Sequence, residues 1–254
     1  MKKEPAKRQS LKNSSKKSAK PWEFKYRKKI LELRRVCNIA FDKDLIDTHS
    51  GNISMGIDKD LLITKTGRSL VNLKQQDFTV VPITRPKKGD KKYNDCSDNG
   101  ASSEIDIHRF ILKSFPNSTV LHSHPLDAVV LSLHTGYGFI KPPDIKTPRI
   151  STSSFNKIEK LYKEYPGLSE ITPLDFESAY FFPKIYVFPL NLINDIKTKN
   201  LMADFEAREI FKENGVFMIK SHGSFAWGKT PLDALRWTMM LEASAKIILK
   251  YLSF

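Results

Sequence analysis

"TVLHSHPLDAVVLS" (residues 119–132) places two histidines, His122 and His124, one residue apart where a short apolar run ends. The run is the length of a strand, and Pro125 is placed to open a helix over "PLDAVVLSLH". In a strand, residues two apart point to the same side, so both imidazoles face one way at the strand's exit. Two ring nitrogens on one side are half of a tetrahedral zinc set. They are equally the pattern of two hydrogen-bonded histidines near a surface, so further ligands have to decide.

Two residues elsewhere fit. His222 stands just past another apolar run, "VFMIKSHG", with Gly223 leaving room behind it. Glu104 opens the helix that precedes the HxH strand. Three histidines and a carboxylate, each at the end of a regular element, make a plausible catalytic site. His108, one helical turn from Glu104, reads as an orienting or packing residue. His49 and His134 have no such partners and read as structural.

The flanking elements alternate between strand and helix. Residues 22–43 carry Ile30, Leu33, Val36, Cys37 and Ala40 at helical spacing. "GNISMGID", "DLLITKTG" and "FTVVPIT" read as three short strands. "SSEIDIHRFILKSFP" reads as a helix with capping serines and Glu104 in its first turn. "AYFFPKIYVFPL" reads as a strand pair or one broken strand, "LMADFEAREIFKEN" as a helix and "GVFMIKSHG" as a strand. "TPLDALRWTMMLEASAKIILKYL" reads as a long closing helix capped by Thr230. The polar stretch 85–100 is a surface loop, and 136–178 shows little periodicity.

The chain has 254 residues and a net charge of +14. Most of that charge is local. Residues 1–30 hold twelve Lys or Arg against Glu4 and Glu23, which leaves the body only mildly basic. Residues 1–21 lack the apolar content to offset the entropy of ordering, so they read as a disordered basic tail before a domain at 22–254. The tail is the one part suited to nucleic acid or an anionic surface, and nucleic acid is otherwise not expected as a partner. It has no apolar segment of a secretory signal, and no stretch approaches the ~18 apolar residues of a membrane span. Cys37 and Cys96 are the only cysteines, which points to a reducing, cytoplasmic setting.

"GSFAWGKT" (223–230) matches the phosphate-loop pattern GxxxxGK[ST] letter for letter. Phe225 and Trp227 are bulky for a loop that wraps phosphate in backbone amides. Only 24 residues follow Thr230, too few for the remaining strands of a nucleotide-binding sheet. The stretch is read as a chance match.

Together, "SGNIS" (50–54), "LITKTG" (62–67), "SSEIDIHRFIL" (102–112), "VLHSHP" (120–125) and "IKSHGSFAWGKTPLDAL" (219–235) resemble the class II aldolase/adducin superfamily in order and approximate spacing. The resemblance runs from about residue 25 to 250. It implies a three-layer α/β/α sandwich around a largely antiparallel sheet, assembled as a homotetramer. It implies one Zn2+ per subunit, with His122, His124 and His222 as ligands. Glu104 matches the acid that approaches the metal and serves as general base. Gly51, Asn52, Thr66, Gly67, Ser102 and Ser103 match the groups that hold substrate phosphate, and small residues at a helix start suit an anion on physical grounds too.

The implied reaction is zinc-dependent cleavage of a ketose 1-phosphate to dihydroxyacetone phosphate and an aldehyde. The 219–235 stretch looks most like the sugar-phosphate 4-epimerases, whereas the glutamate of "SSE" is similar to the aldolases. An epimerase or a methylthioribulose-phosphate dehydratase on the same metal platform is therefore an alternative, as is a non-catalytic adducin-like interaction module. Modules of that last kind lose the zinc histidines, and all three are present here. The family's leaving-group acid comes from the middle region or the C-terminal tail, where Tyr180 and Glu177 are the candidates. The chain ends at Phe254 soon after its last helix, so a C-terminal lid is not expected.

Overall fold

The computed structural model describes residues 25–85, 98, 100–134, 168–182, 184–190 and 212–254. The expected basic tail, nearly all of the 85–100 loop, most of 136–178 and residues 201–211 of the expected helix lie outside these. The elements run α1 (Arg27–Asp42), β1 (Asn52–Ile57), β2 (Asp60–Thr64), β3 (Phe78–Pro82), α2 (Ile105–Ser114), β4 (Thr119–Ser123) and α3 (Leu126–His134). Then come β5 (Ser169–Ile171), α4 (Phe176–Phe181), β6 (Ile185–Phe188), β7 (Gly215–Ile219), β8 (Gly223–Gly228) and α5 (Pro231–Leu252).

Among the described residues the strands form one sheet in the order β3-β2-β1-β4-β8-β7-β6-β5. Neighbours are antiparallel except β6 and β7, which run parallel. Side-chain alternation along the strands builds the layers. Val120, Phe217, Ile219, Phe225 and Trp227 pack with Ile107, Phe110 and Ile111 of α2 on one face. The residues between them point the other way. Leu121 packs with α1, and Val216, Met218 and Ala226 pack with α3 and α5. With apolar side chains on both faces, β4, β7 and β8 read as continuous apolar runs rather than a polar/apolar alternation. The result is the α/β/α sandwich expected from the sequence.

Helix α1 buries the periodic set Ile30, Leu33, Val36, Cys37 and Ala40. Burial drives the Cys37 thiol far up from its ordinary pKa, so it packs as a small apolar group rather than a nucleophile. No helix of the described residues is long and apolar enough to cross a membrane.

Two local expectations are corrected. The first half of "AYFFPKIYVFPL" belongs to helix α4, not to a strand, because the Asp175 carboxylate caps it by accepting the Ser178 N–H at 2.8 Å. Helix α2 begins at Ile105, so Glu104 is its N-cap residue rather than part of its first turn, and neither it nor the serines cap by side chain. Instead, Ser102 Oγ accepts the Glu104 N–H at 3.3 Å, which leaves the Glu104 carboxylate free to turn inward. The dismissal of the phosphate-loop match holds, since Gly223–Gly228 is the buried strand β8. Its backbone pairs with β4 on one side and β7 on the other, so its amides are spent in the sheet. The "KT" that follows closes into a capping box, with Thr230 and Asp233 each accepting the other's N–H.

Candidate metal centre

The sheet order brings the site together. Strand β4 lies between β1 and β8, pairing His122 with Asn52 on one side and with Phe225 on the other. The reversal from β7 to β8 pairs Ile219 with Gly223, and His222 stands in that turn beside Ser221, whose φ is +58°. Its backbone N–H returns to the Ile219 carbonyl at 3.0 Å, which fixes the turn. Histidines far apart in sequence thus meet at one end of adjacent strands.

Two glycines permit this approach. A β-carbon on Gly223 would lie 2.5 Å from the Ser123 carbonyl oxygen and 2.7 Å from the His124 ring. Gly51 has a φ of +91°, and a β-carbon there would lie 2.8 Å from the His122 carbonyl oxygen.

One ring nitrogen from each of His122, His124 and His222 lies within 4.8 Å of the others. His122 Nε2 and His124 Nε2 are 2.9 Å apart. Glu104 joins them, with Oε2 3.1 Å from His122 Nε2 and Oε1 2.5 Å from His222 Nε2. His122 is 1% exposed, whereas His124 and His222 are half-buried and open the site to solvent.

The tautomer of His122 follows from its other nitrogen. Nδ1 lies 2.9 Å from the Ser224 carbonyl oxygen, which only accepts, so Nδ1 carries the hydrogen. Burial pushes the ring's pKa down to about 3, against the opposing pull of Glu104, so it is neutral at pH 7. Its Nε2 therefore presents a bare lone pair to a carboxylate oxygen and to a second imidazole nitrogen. The carboxylate oxygen only accepts, so at 3.1 Å its lone pair and that of His122 Nε2 repel unless a cation lies between them. The donor set, three imidazoles and a carboxylate, is one that zinc accepts. The residues fit a divalent metal ion.

Burial would raise the Glu104 carboxyl, but the hydrogen bonds it accepts from His222 and from the Asn52 amide outweigh it and hold the group at about 2. His124 is lowered by burial and by its proximity to His222. The Asn52 amide donates to Oε2 at 2.6 Å.

The residues matched to phosphate binding also assemble at this end of the sheet. The Thr66 N–H donates to Gly100 O at 2.9 Å and the Ser102 N–H to Thr64 O at 3.0 Å, which ties residues 64–67 to residues 100–104. Those two amides are spent. The exposed side chains of Thr66 and Ser103, and the open space around Gly67, are what face solvent. Asn52 is 7% exposed and its amide is committed to Glu104 and His108, a role that sequence reading missed. The pairing of Asn52 with His122 across β1 and β4 was not readable before the strand order was known.

The two candidate leaving-group acids lie elsewhere. Tyr180, on α4, packs edge-on against Phe181, and Phe181 packs against Trp237 of α5. Glu177 lies in the first turn of the same helix. Neither is brought to the histidines among the described residues.

Comparison with known proteins accords with this geometry. The family model "Class II Aldolase and Adducin N-terminal domain" matches residues 31–249. The chain is 26% identical over 218 residues to the bifunctional enzyme MtnB/MtnX of Bacillus licheniformis. That match takes in 84% of this chain and 42% of the relative's length. Among solved structures, l-fuculose-1-phosphate aldolase from Thermus thermophilus superposes with a TM-score of 0.57 at 25% identity, covering 87% of this chain and 92% of that one. A sugar-phosphate aldolase from Thermotoga maritima shares the fold, with a TM-score of 0.54 at 19% identity and coverage of 90% and 97%. The chain belongs to the class II aldolase and adducin N-terminal domain family.

Proposed function

We propose that the protein is a zinc-dependent lyase that cleaves a ketose 1-phosphate to dihydroxyacetone phosphate and an aldehyde. The observation that carries this reading is the unprotonated His122 Nε2, set 3.1 Å from the Glu104 carboxylate and 2.9 Å from His124 Nε2. His122, His124 and His222 would hold the metal, with Glu104 beside it. A bound divalent ion supplies Lewis acidity where negative charge develops on a substrate oxygen.

The chain's own residues supply the rest. The Thr66–Gly67 and Ser102–Ser103 segments with Gly51 would hold the phosphate, fixing the sugar's reacting end over the histidines. Glu104 would move the proton. It sits at the end of α2 on a side chain pinned only by Asn52 once the histidines are engaged, so one oxygen can reach substrate. Cleavage breaks the bond between the carbon next to the carbonyl and the hydroxyl-bearing carbon beyond it. Glu104 would take the hydroxyl proton as the aldehyde forms and return it to the carbon that stays with the phosphate. The likeness to fuculose-phosphate aldolase supports this outcome.

A second reading is dehydration of a phosphorylated sugar by the same proton transfer, favoured by the likeness to MtnB/MtnX. Product analysis separates the two. Incubating zinc-loaded protein with a panel of ketose 1-phosphates and 5-phosphates is expected to release dihydroxyacetone phosphate, with release abolished by a chelator. A product of unchanged carbon count would move the assignment to a dehydratase or epimerase, and full activity in chelator would reject the metal.

A further inference from the structure

Hydrogen bonds in series join Ser54 to Glu104 through the interior. Ser54 Oγ is 2.7 Å from His108 Nδ1, His108 Nε2 contacts Asn52 Oδ1, and Asn52 Nδ2 lies 2.6 Å from Glu104 Oε2. Ser54 and His108 are fully buried, and the proton transfers above use neither.

The chain has one consistent direction. A carboxylate only accepts, so Asn52 must turn its NH2 toward Glu104 and its oxygen toward His108. That oxygen also only accepts, so His108 carries its hydrogen on Nε2. The neutral ring then has its lone pair on Nδ1, and the Ser54 hydroxyl donates to it. An asparagine amide has no preference of its own between its two ends; its neighbours choose. Reversed, Asn52 would set its oxygen against the carboxylate and its NH2 against the His108 N–H, two repulsive contacts in a buried place.

We infer that His108 is a positioning residue, whose Nε2–H fixes the orientation of the Asn52 amide and thereby holds Glu104 Oε2 while Oε1 stays aimed at His222. A glutamate that moves protons needs this because its flexible side chain loses rate when misplaced by about 1 Å. The inference rests on the role proposed for Glu104, but its structural half can be tested without any activity.

Two measurements test it. Long-range 1H–15N spectra of metal-free protein are expected to show His108 as the Nε2–H tautomer, and the Nδ1–H tautomer would overturn the inference. Zinc-loaded His108→Gln keeps a donor at the same place, whereas His108→Met has similar bulk and none. The glutamine variant is expected to stay within about 3-fold of wild-type kcat. The methionine variant is expected to lose at least about 10-fold in kcat, with KM and zinc affinity within about 3-fold. Adding Asn52→Ala to His108→Met is expected to cost no more than the worse single change, because both act through one contact. Equal activity of the two His108 variants, or losses that multiply, would overturn the inference. If His108→Met fails to fold, the tautomer decides alone. A wild-type enzyme without lyase activity would sink the proposed function and still leave the tautomer to be read.

Discussion

Gly223 lies so close to Ser123 that a β-carbon on it would stand 2.5 Å from the Ser123 carbonyl oxygen, and 3.0 Å from the His122 ring. The obstacle is backbone, in a central strand, and cannot swing aside. Gly223→Ala is therefore expected to destabilise the fold by about 1–3 kcal/mol and to displace the ring. Metal affinity should fall about 10–100-fold, the range seen when a ligand loses its support. Thermal melts with and without zinc, together with a zinc competition titration, read both effects. An alanine variant with wild-type affinity would mean that the strand spacing does not set the histidine cluster.

Glu104 separates binding from turnover. Glu104→Gln keeps the shape and the hydrogen bond with Asn52 but cannot take a proton. It is expected to fold and to bind zinc through the three histidines while losing about 10²–10⁴-fold in kcat. Metal content and steady-state kinetics on the same preparation check this. A glutamine variant that turns over normally would remove Glu104 from the chemistry.

His108 makes stability depend on pH in a window that its environment defines. Burial lowers its pKa from 6.5 to about 4, against a weaker opposing pull from Glu104. Between those values the unfolded chain binds a proton that the folded one refuses. The contribution is thus fully present above pH 6.5 and is lost as pH falls through about 4. The shift corresponds to about 3 kcal/mol. Urea unfolding of metal-free protein from neutral pH down through this window should show a stability slope that flattens in His108→Gln. Parallel slopes would show that the imidazole is not held neutral.

The long closing helix tests the dismissal of a nucleotide site. Thr230 Oγ1 accepts the Asp233 N–H at 3.2 Å and Asp233 Oδ2 accepts the Thr230 N–H at 3.0 Å. Thr230→Ala is expected to cost about 1 kcal/mol of stability through the lost cap, with zinc binding unchanged. Magnesium ATP at millimolar concentration should leave the melting temperature of the wild-type protein where it was. A nucleotide-dependent rise abolished by Thr230→Ala would restore the phosphate-loop reading.

The histidine cluster and Glu104 were legible because each member carries a local signal. HxH closes a strand, and SHG closes a hairpin that needs glycine. Glu104 follows two serines at a helix start, although its place at the N-cap was not read. The link from His108, read as an orienting or packing residue, through Asn52 to Glu104 was not legible. It depends on β1 lying beside β4, a long-range register that no local pattern states. In "GSFAWGKT" the bulk of Phe225 and Trp227 spoke against a phosphate loop, and those side chains are buried in strand β8. The aromatic run at 180–182 looked like a strand because the Asp175 cap that makes helix α4 lies several residues upstream.

The most direct test is metal analysis of protein purified under zinc-replete conditions, wild type beside His222→Ala. His222 supplies the ligand most distant in sequence, so only the folded arrangement can make it matter. Close to one zinc per chain in the wild type, falling to a small fraction in the alanine variant, is the expected result. Protein that carries no zinc, or the same amount with and without the His222 imidazole, would contradict a centre built from these three rings.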